Sequence, residues 1–165
     1  MDYLWTPWRY QYVTKAEPSS ECVFCTAASG SGDRESDRES LIVHRAAHNF
    51  IILNRFPYTN GHVMVVPFQH VATLQDLTGE TLTEMMHLAR DCEKHLRAAY
   101  RPDGLNIGMN LGRAAGAGIA AHVHMHVLPR WTGDTNFMSV VGETRILPED
   151  LQVTWEKLTA VDWVA

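Results

Sequence analysis

Cysteine is scarce in this chain of 165 residues: there are three, an odd number. An odd count cannot close a disulfide framework, so the fold must rest on a packed core, which one domain of this length can build. Long hydrophobic runs are missing too. No stretch approaches the roughly 18 apolar residues that a membrane-spanning helix needs. Met1 to Val13 carry charge and aromatic rings in place of a basic patch followed by an apolar run, so no secretory signal is read there and cytoplasmic residence is the expectation. Basic charge is in deficit: 14 Lys and Arg stand against 19 Asp and Glu, a net charge of −5. That balance argues against polymeric nucleic acid and membrane surfaces as partners, because both call for a basic footprint. It leaves room for a small anion held by local donors. One residue type is in excess instead: there are nine histidines.

Along the chain, residues 1–21 form an aromatic arm holding Tyr3, Trp5, Trp8, Tyr10 and Tyr12. Such rings can dock on the domain or on a second subunit, or wall a planar ligand. Cys22-Val23-Phe24-Cys25 follows. Residues 26–40 hold nothing apolar larger than Ala and read as a mobile loop. From Leu41 the pattern turns to β: Leu41 to His44, Asn49 to Asn54, and His62 to Val66 before Pro67, with a turn ending in Asn60-Gly61. A helix starts at the N-cap Thr78, with Leu82, Met85, Met86, Ala89, Cys92, Leu96 and Ala99 as its apolar face, and closes before Pro102 and Gly104. His87 and His95 sit beside that face, at or near the surface. Leu105 to Met109 and His122 to Leu128 complete five strands. The Gly-rich run Asn110 to Gly118 lies between them, and a shorter helix spans Pro148 to Ala160. The pattern is α+β, with a mostly antiparallel five-stranded sheet, one long helix and a short helix in the tail, residues 131–165.

His122, His124 and His126 alternate with Val123, Met125 and Val127. The side-chain period of a strand is two, so the three imidazoles share one face, their Cα atoms about 6.6–6.8 Å apart. Backbone amides of the Gly-rich loop would reach that face, giving donors for phosphate oxygens around a nucleophile and an acid. A solvated strand face and a three-histidine metal site are the competing readings. Cys22-x-x-Cys25 alone is equally open: it could be redox-active or inert.

His122-Val-His124-Met-His126-Val-Leu resembles the His-φ-His-φ-His-φ-φ signature of the histidine triad (HIT) family of nucleotide hydrolases and transferases. Leu53-Asn54-Arg55-Phe56-Pro57 with Gly61-His62-Val-Met-Val-Val-Pro67 is similar to the family's second and third core strands, and Asn110 with its Gly-rich run to the phosphate loop. The likeness covers residues 22–130 and implies a HIT-like fold. Leu4-Trp-Thr-Pro7 and Pro129-Arg130-Trp131 through Phe137 are similar to the branch containing diadenosine tetraphosphate phosphorylases.

The resemblance implies roles. His124 would attack the α-phosphorus and carry a nucleotidyl group. His126 would contact the phosphate and assist the leaving group, and His62 would lie beside the triad. Asn110 and the backbone of Gly118 would meet phosphate, Asn54 the ribose, and Phe24, Ile52 and Met64 the base. Many family members hold Gln or Ser where this chain has Gly118, so a side-chain donor is missing there. Zinc-bearing relatives use ligands matching Cys22, Cys25, His70 and His122, a closed structural Cys₂His₂ site. The family also implies a homodimer pairing through the long helix and its neighbouring strand. The implied activity is cleavage of a dinucleoside polyphosphate, resolved by phosphate or water. A nucleoside phosphoramidase and a nucleotide-binding sensor with negligible turnover are the alternatives.

Overall fold

The computed structural model describes residues 21–134 and 149–163. Residues 1–20 of the aromatic arm, 135–148 and 164–165 lie outside the described residues. Two short helices, α1 (Val23–Ala28) and α2 (Arg34–Ser40), precede the strands β1 (Ile42–Arg45), β2 (Asn49–Leu53) and β3 (Val63–Pro67). The long helix α3 (Gly79–Tyr100), strands β4 (Gly104–Met109) and β5 (Met125–Arg130), and helix α4 (Leu151–Thr159) follow. The strands form one sheet in the order β1-β2-β3-β5-β4, and each neighbouring pair is antiparallel. This is the α+β, HIT-like architecture expected from the sequence. No helix among the described residues is long and apolar enough to cross a membrane.

The expected loop over residues 26–40 is a correction: most of it is helical. Asp33 caps α2, its carboxylate accepting the amides of Glu35 and Ser36 at 3.0 Å. The helix ends on Leu41 in the left-handed region, at φ 64°. With no apolar face of its own, α2 is held by polar ties. Arg38 donates to Gln152 of α4, Asp37 accepts from Arg45 of β1, and Arg34 lies over the Trp155 ring.

The N-cap of α3 is Thr78, whose hydroxyl accepts the Thr81 amide. The buried face is Thr81, Met85, Leu88, Ala89, Asp91, Cys92, His95 and Leu96. Met86 and Ala99 were expected there and face solvent instead, while His95 is buried against Trp163 at a centroid distance of 4.6 Å. The helix lies across β2, β3 and β5 and is tied to the β1–β2 turn through Glu84. The Glu84 carboxylate accepts from the amides of Ala47 and His48 and from the side chain of Asn49, which holds its pKa below the usual carboxylate range despite partial burial. Trp155 of α4 donates its indole N–H to the Ile42 carbonyl at 2.7 Å.

Candidate active site and metal centre

The sheet register sets out the site. Ile52 pairs with Met64, Met64 with His126, and His126 with Gly108, so these residues form one row across β2, β3, β5 and β4 on a single face. Phe24 of α1 lies over that side, with its ring 5.0 Å from His124 and 5.3 Å from His122. Phe24, Ile52 and Met64 are all buried.

Of the three histidines only His126 lies within β5, which begins at Met125; ahead of it the Val123 amide donates to the Val71 carbonyl at 2.7 Å. The triad therefore divides. The ring of His122 points toward the cysteines, while His124 and His126 stand together, ring centroids 4.9 Å apart and nearly perpendicular.

His122 Nε2 lies 2.9 Å from the Pro67 carbonyl. A carbonyl can only accept, so the ring proton sits on Nε2 and Nδ1 keeps its lone pair. That lone pair faces Cys22 Sγ at 3.3 Å and Cys25 Sγ at 3.7 Å. His70 Nδ1 lies 3.3 Å from Cys25 Sγ, and all four ligand atoms fall within 4.8 Å of one another. Zn–S bonds of about 2.3 Å and Zn–N bonds of about 2.0–2.1 Å in a tetrahedron place sulfur and nitrogen about 3.6 Å apart. The donor set and its spacing fit such an ion. The cluster can hold a metal, and four protein ligands leave no open coordination position. Burial, the first cause, keeps the His122 pKa below its ordinary value, which favours the neutral ring a metal requires.

His124 is 4% exposed. Its Nδ1–H donates to the His122 carbonyl at 2.8 Å, which leaves Nε2 as the ring's lone-pair atom. Burial pushes its pKa below 6.5, while the hydrogen bond to His122 opposes the shift. The ring is neutral near pH 7 and presents a nucleophilic nitrogen.

A second chain of tautomers starts from a backbone amide. The N–H of Tyr58 donates to His62 Nδ1 at 3.2 Å. A neutral His62 then carries its proton on Nε2, which lies 3.0 Å from His126 Nδ1. That contact makes His126 Nδ1 the acceptor and puts the His126 proton on Nε2. His124 thus offers an unprotonated Nε2, and His126 a protonated one. The sequence pattern offers no sign of a role for Tyr58, whose ring also packs on His62 at 5.0 Å. The turn between β2 and β3, closed by Gly61 at φ +73°, is what brings it back.

The remaining expected residues lie nearby in the chain path. Asn54 is half-buried at the end of β2, its Oδ1 accepting from the Phe56 amide and its Nδ2 3.4 Å from His62 Nδ1. Met109 pairs with Met125, so Asn110 and the Gly-rich loop leave β4 beside His124. The loop makes a 3-10 turn, Arg113–Ala115, between Gly112 and Gly116, both at positive φ, and Gly118 is exposed on its far arm.

The HIT domain family model matches residues 35–133. The chain belongs to the HIT family. It is 38% identical over 164 residues to "AP-4-A phosphorylase" of Mycobacterium tuberculosis, an alignment covering 97% of this chain and 83% of that protein. "Protein hit" of Bacillus subtilis is 30% identical over 137 residues, covering 81% of this chain and 89% of its own. Among solved structures, a zinc-bound histidine triad family protein from Mycobacterium smegmatis superposes with a TM-score of 0.67 at 30% identity, covering 86% of this chain and 92% of that one.

Proposed function

We propose that this protein cleaves a phosphoanhydride of a dinucleoside polyphosphate, such as diadenosine tetraphosphate, through a nucleotidyl group on His124. The observation that carries this is the opposite protonation of the neighbouring rings His124 and His126, set for His124 by the His122 carbonyl and for His126, through His62, by the Tyr58 N–H. The 38% identity to a phosphorylase of this name, over nearly the whole chain, supports the choice of substrate.

The base sits among Phe24, Ile52 and Met64, the ribose at Asn54, and the phosphates at Asn110 and the amides around Gly118. His124 Nε2 attacks the α-phosphorus, the bond from phosphorus to the bridging oxygen breaks, and that oxygen takes the proton from His126 Nε2. In the second half, an oxygen of orthophosphate or water attacks the same phosphorus and returns its proton to His126, and the P–N bond breaks to release His124. Cys22, Cys25, His70 and His122 would hold zinc; its closed ligand set gives it a structural role that fixes the His122 carbonyl under His124. Product analysis tests the reaction. With orthophosphate present, a phosphorylase releases ADP with ATP; a hydrolase releases AMP with ATP. Neither pair of products from a protein that binds the dinucleotide would favour a sensor.

His62→Phe removes the donor that fixes the proton on His126. Loss of this acid is expected to cost about a hundredfold in turnover of the polyphosphate and far less on a nucleoside phosphoester with a good leaving group such as nitrophenolate. An equal loss on both substrates would contradict an acid role for the pair.

A homodimer in the cytoplasm completes the proposal. β4 is a free sheet edge among the described residues, Ile107 on it is 47% exposed and Met86 of α3 is 56% exposed. The solution mass by light scattering should be twice that of the chain and fall to one chain in Ile107→Lys; a monomeric native protein would refute the pairing.

A further inference from the structure

Helix α1 carries Phe24, and its two ends are held by different parts of the fold. At the start, the N-cap Cys22 and Cys25 join His70 and His122. At the end, Arg45 of β1 donates Nη1 to the Ala28 carbonyl at 2.8 Å and Nη2 to the Ala27 carbonyl at 3.3 Å. The same guanidinium donates Nε to Asp37 Oδ1 at 2.9 Å, and its Nη2 lies 2.8 Å from that oxygen. Carbonyls of a last helical turn lack intrahelical amides and form the negative end of the helix dipole, so a cation that also donates to them is doubly matched. The side chains of Arg45 and Asp37 are only 20% and 17% exposed, where an ion pair of this kind is little screened by solvent.

A helix of six residues has too few internal hydrogen bonds to hold its own place. Its seat is set by what grips its ends. Phe24 is 3% exposed and meets His124 from the first turn of that helix, so a tilt of the helix about its cysteine-held start, set by the grip on its C-terminal turn, moves the ring relative to the nucleophile. The planar fork of Arg is needed here: a Lys amine cannot reach two carbonyls and a carboxylate in one plane.

We propose that Arg45, oriented by Asp37, is a positioning residue for base recognition: it sets Phe24 against His124 from the far end of α1 and touches no substrate. The inference rests on the reading that Phe24 walls the base.

Titration calorimetry with AMP and with ribose 5-phosphate, which lacks the base, tests it. Arg45→Gln is expected to weaken AMP about fivefold to tenfold and to leave ribose 5-phosphate within about twofold. Arg45→Lys should fall between wild type and Arg45→Gln. In a Phe24→Leu background, Arg45→Gln should add less than about twofold, because the ring it positions is gone. Should Arg45→Gln fail to fold, Asp37→Asn carries the same expectation at about threefold, since it removes the orienting carboxylate alone. Unchanged AMP affinity, equal weakening of both ligands, or a full effect in Phe24→Leu would each overturn the inference while the nucleotide reading stands. Failure of the wild type to bind AMP would overturn both.

Discussion

His124→Ala is expected to lower turnover of diadenosine tetraphosphate by about 10⁴-fold or more, the scale seen when a covalent nucleophile is removed. The reason lies in one ring. His124 is buried, its Nδ1–H is committed to the His122 carbonyl, and burial holds the ring neutral. The neighbouring His126 cannot take this part, because its proton is held on Nε2 and its Nδ1 accepts from His62 in the Tyr58–His62 chain. Substrate binding should survive the substitution, since Phe24, Ile52 and Met64 are untouched. Steady-state rates with a binding titration check both halves. A variant that retains within tenfold of the native rate would mean that His124 is not the nucleophile.

Removal of the metal ligands should give the second large effect, on stability. Cys22→Ser or Cys25→Ser is expected to abolish stoichiometric zinc, read by elemental analysis, and to cost about 3 kcal/mol or more, roughly 6–12 °C in Tm for a chain of this size. The cost arises because the cluster ties α1 and the segment after β3 to His122, three pieces of chain far apart in sequence. A chelator should lower the Tm of the native protein to that of the variants and leave theirs unchanged. Cys92→Ala is the control: that thiol is fully buried in α3 and its pKa is pushed well up by burial, so zinc content should not change. Native protein without metal, whose Tm ignores chelator, would refute a structural zinc.

Much of this site is written in local spacing. Period-two histidines and the Cys-x-x-Cys pair can be read without a fold, and Thr78 announces α3 by its capping chemistry. Other features depend on distant partners. Residues 34–40 have the composition of a loop and become a helix because Asp33 caps them and Arg38, Asp37 and Arg34 find partners in α4 and β1. The strand expected to start at His122 starts at Met125, because the His124 ring bonds the His122 carbonyl and the Val123 amide pairs with Val71, 52 residues away in the chain. On α3 the apolar pattern includes Met86 and Ala99, but position relative to the sheet decides burial, and it selects Leu88, Thr81 and His95. Tyr58 acts through its peptide N–H, which no side-chain pattern can reveal.

The roles of the two rings meet in a single intermediate. Diadenosine tetraphosphate mixed with a molar excess of protein without orthophosphate, quenched in base after a few milliseconds, should yield protein heavier by one nucleoside monophosphate group. Peptide mapping should place that group on His124, with ATP released in equal amount, and the group should then discharge as ADP to orthophosphate or as AMP to water. Products formed with no adduct on the protein, or an adduct on any residue other than His124, would contradict the account.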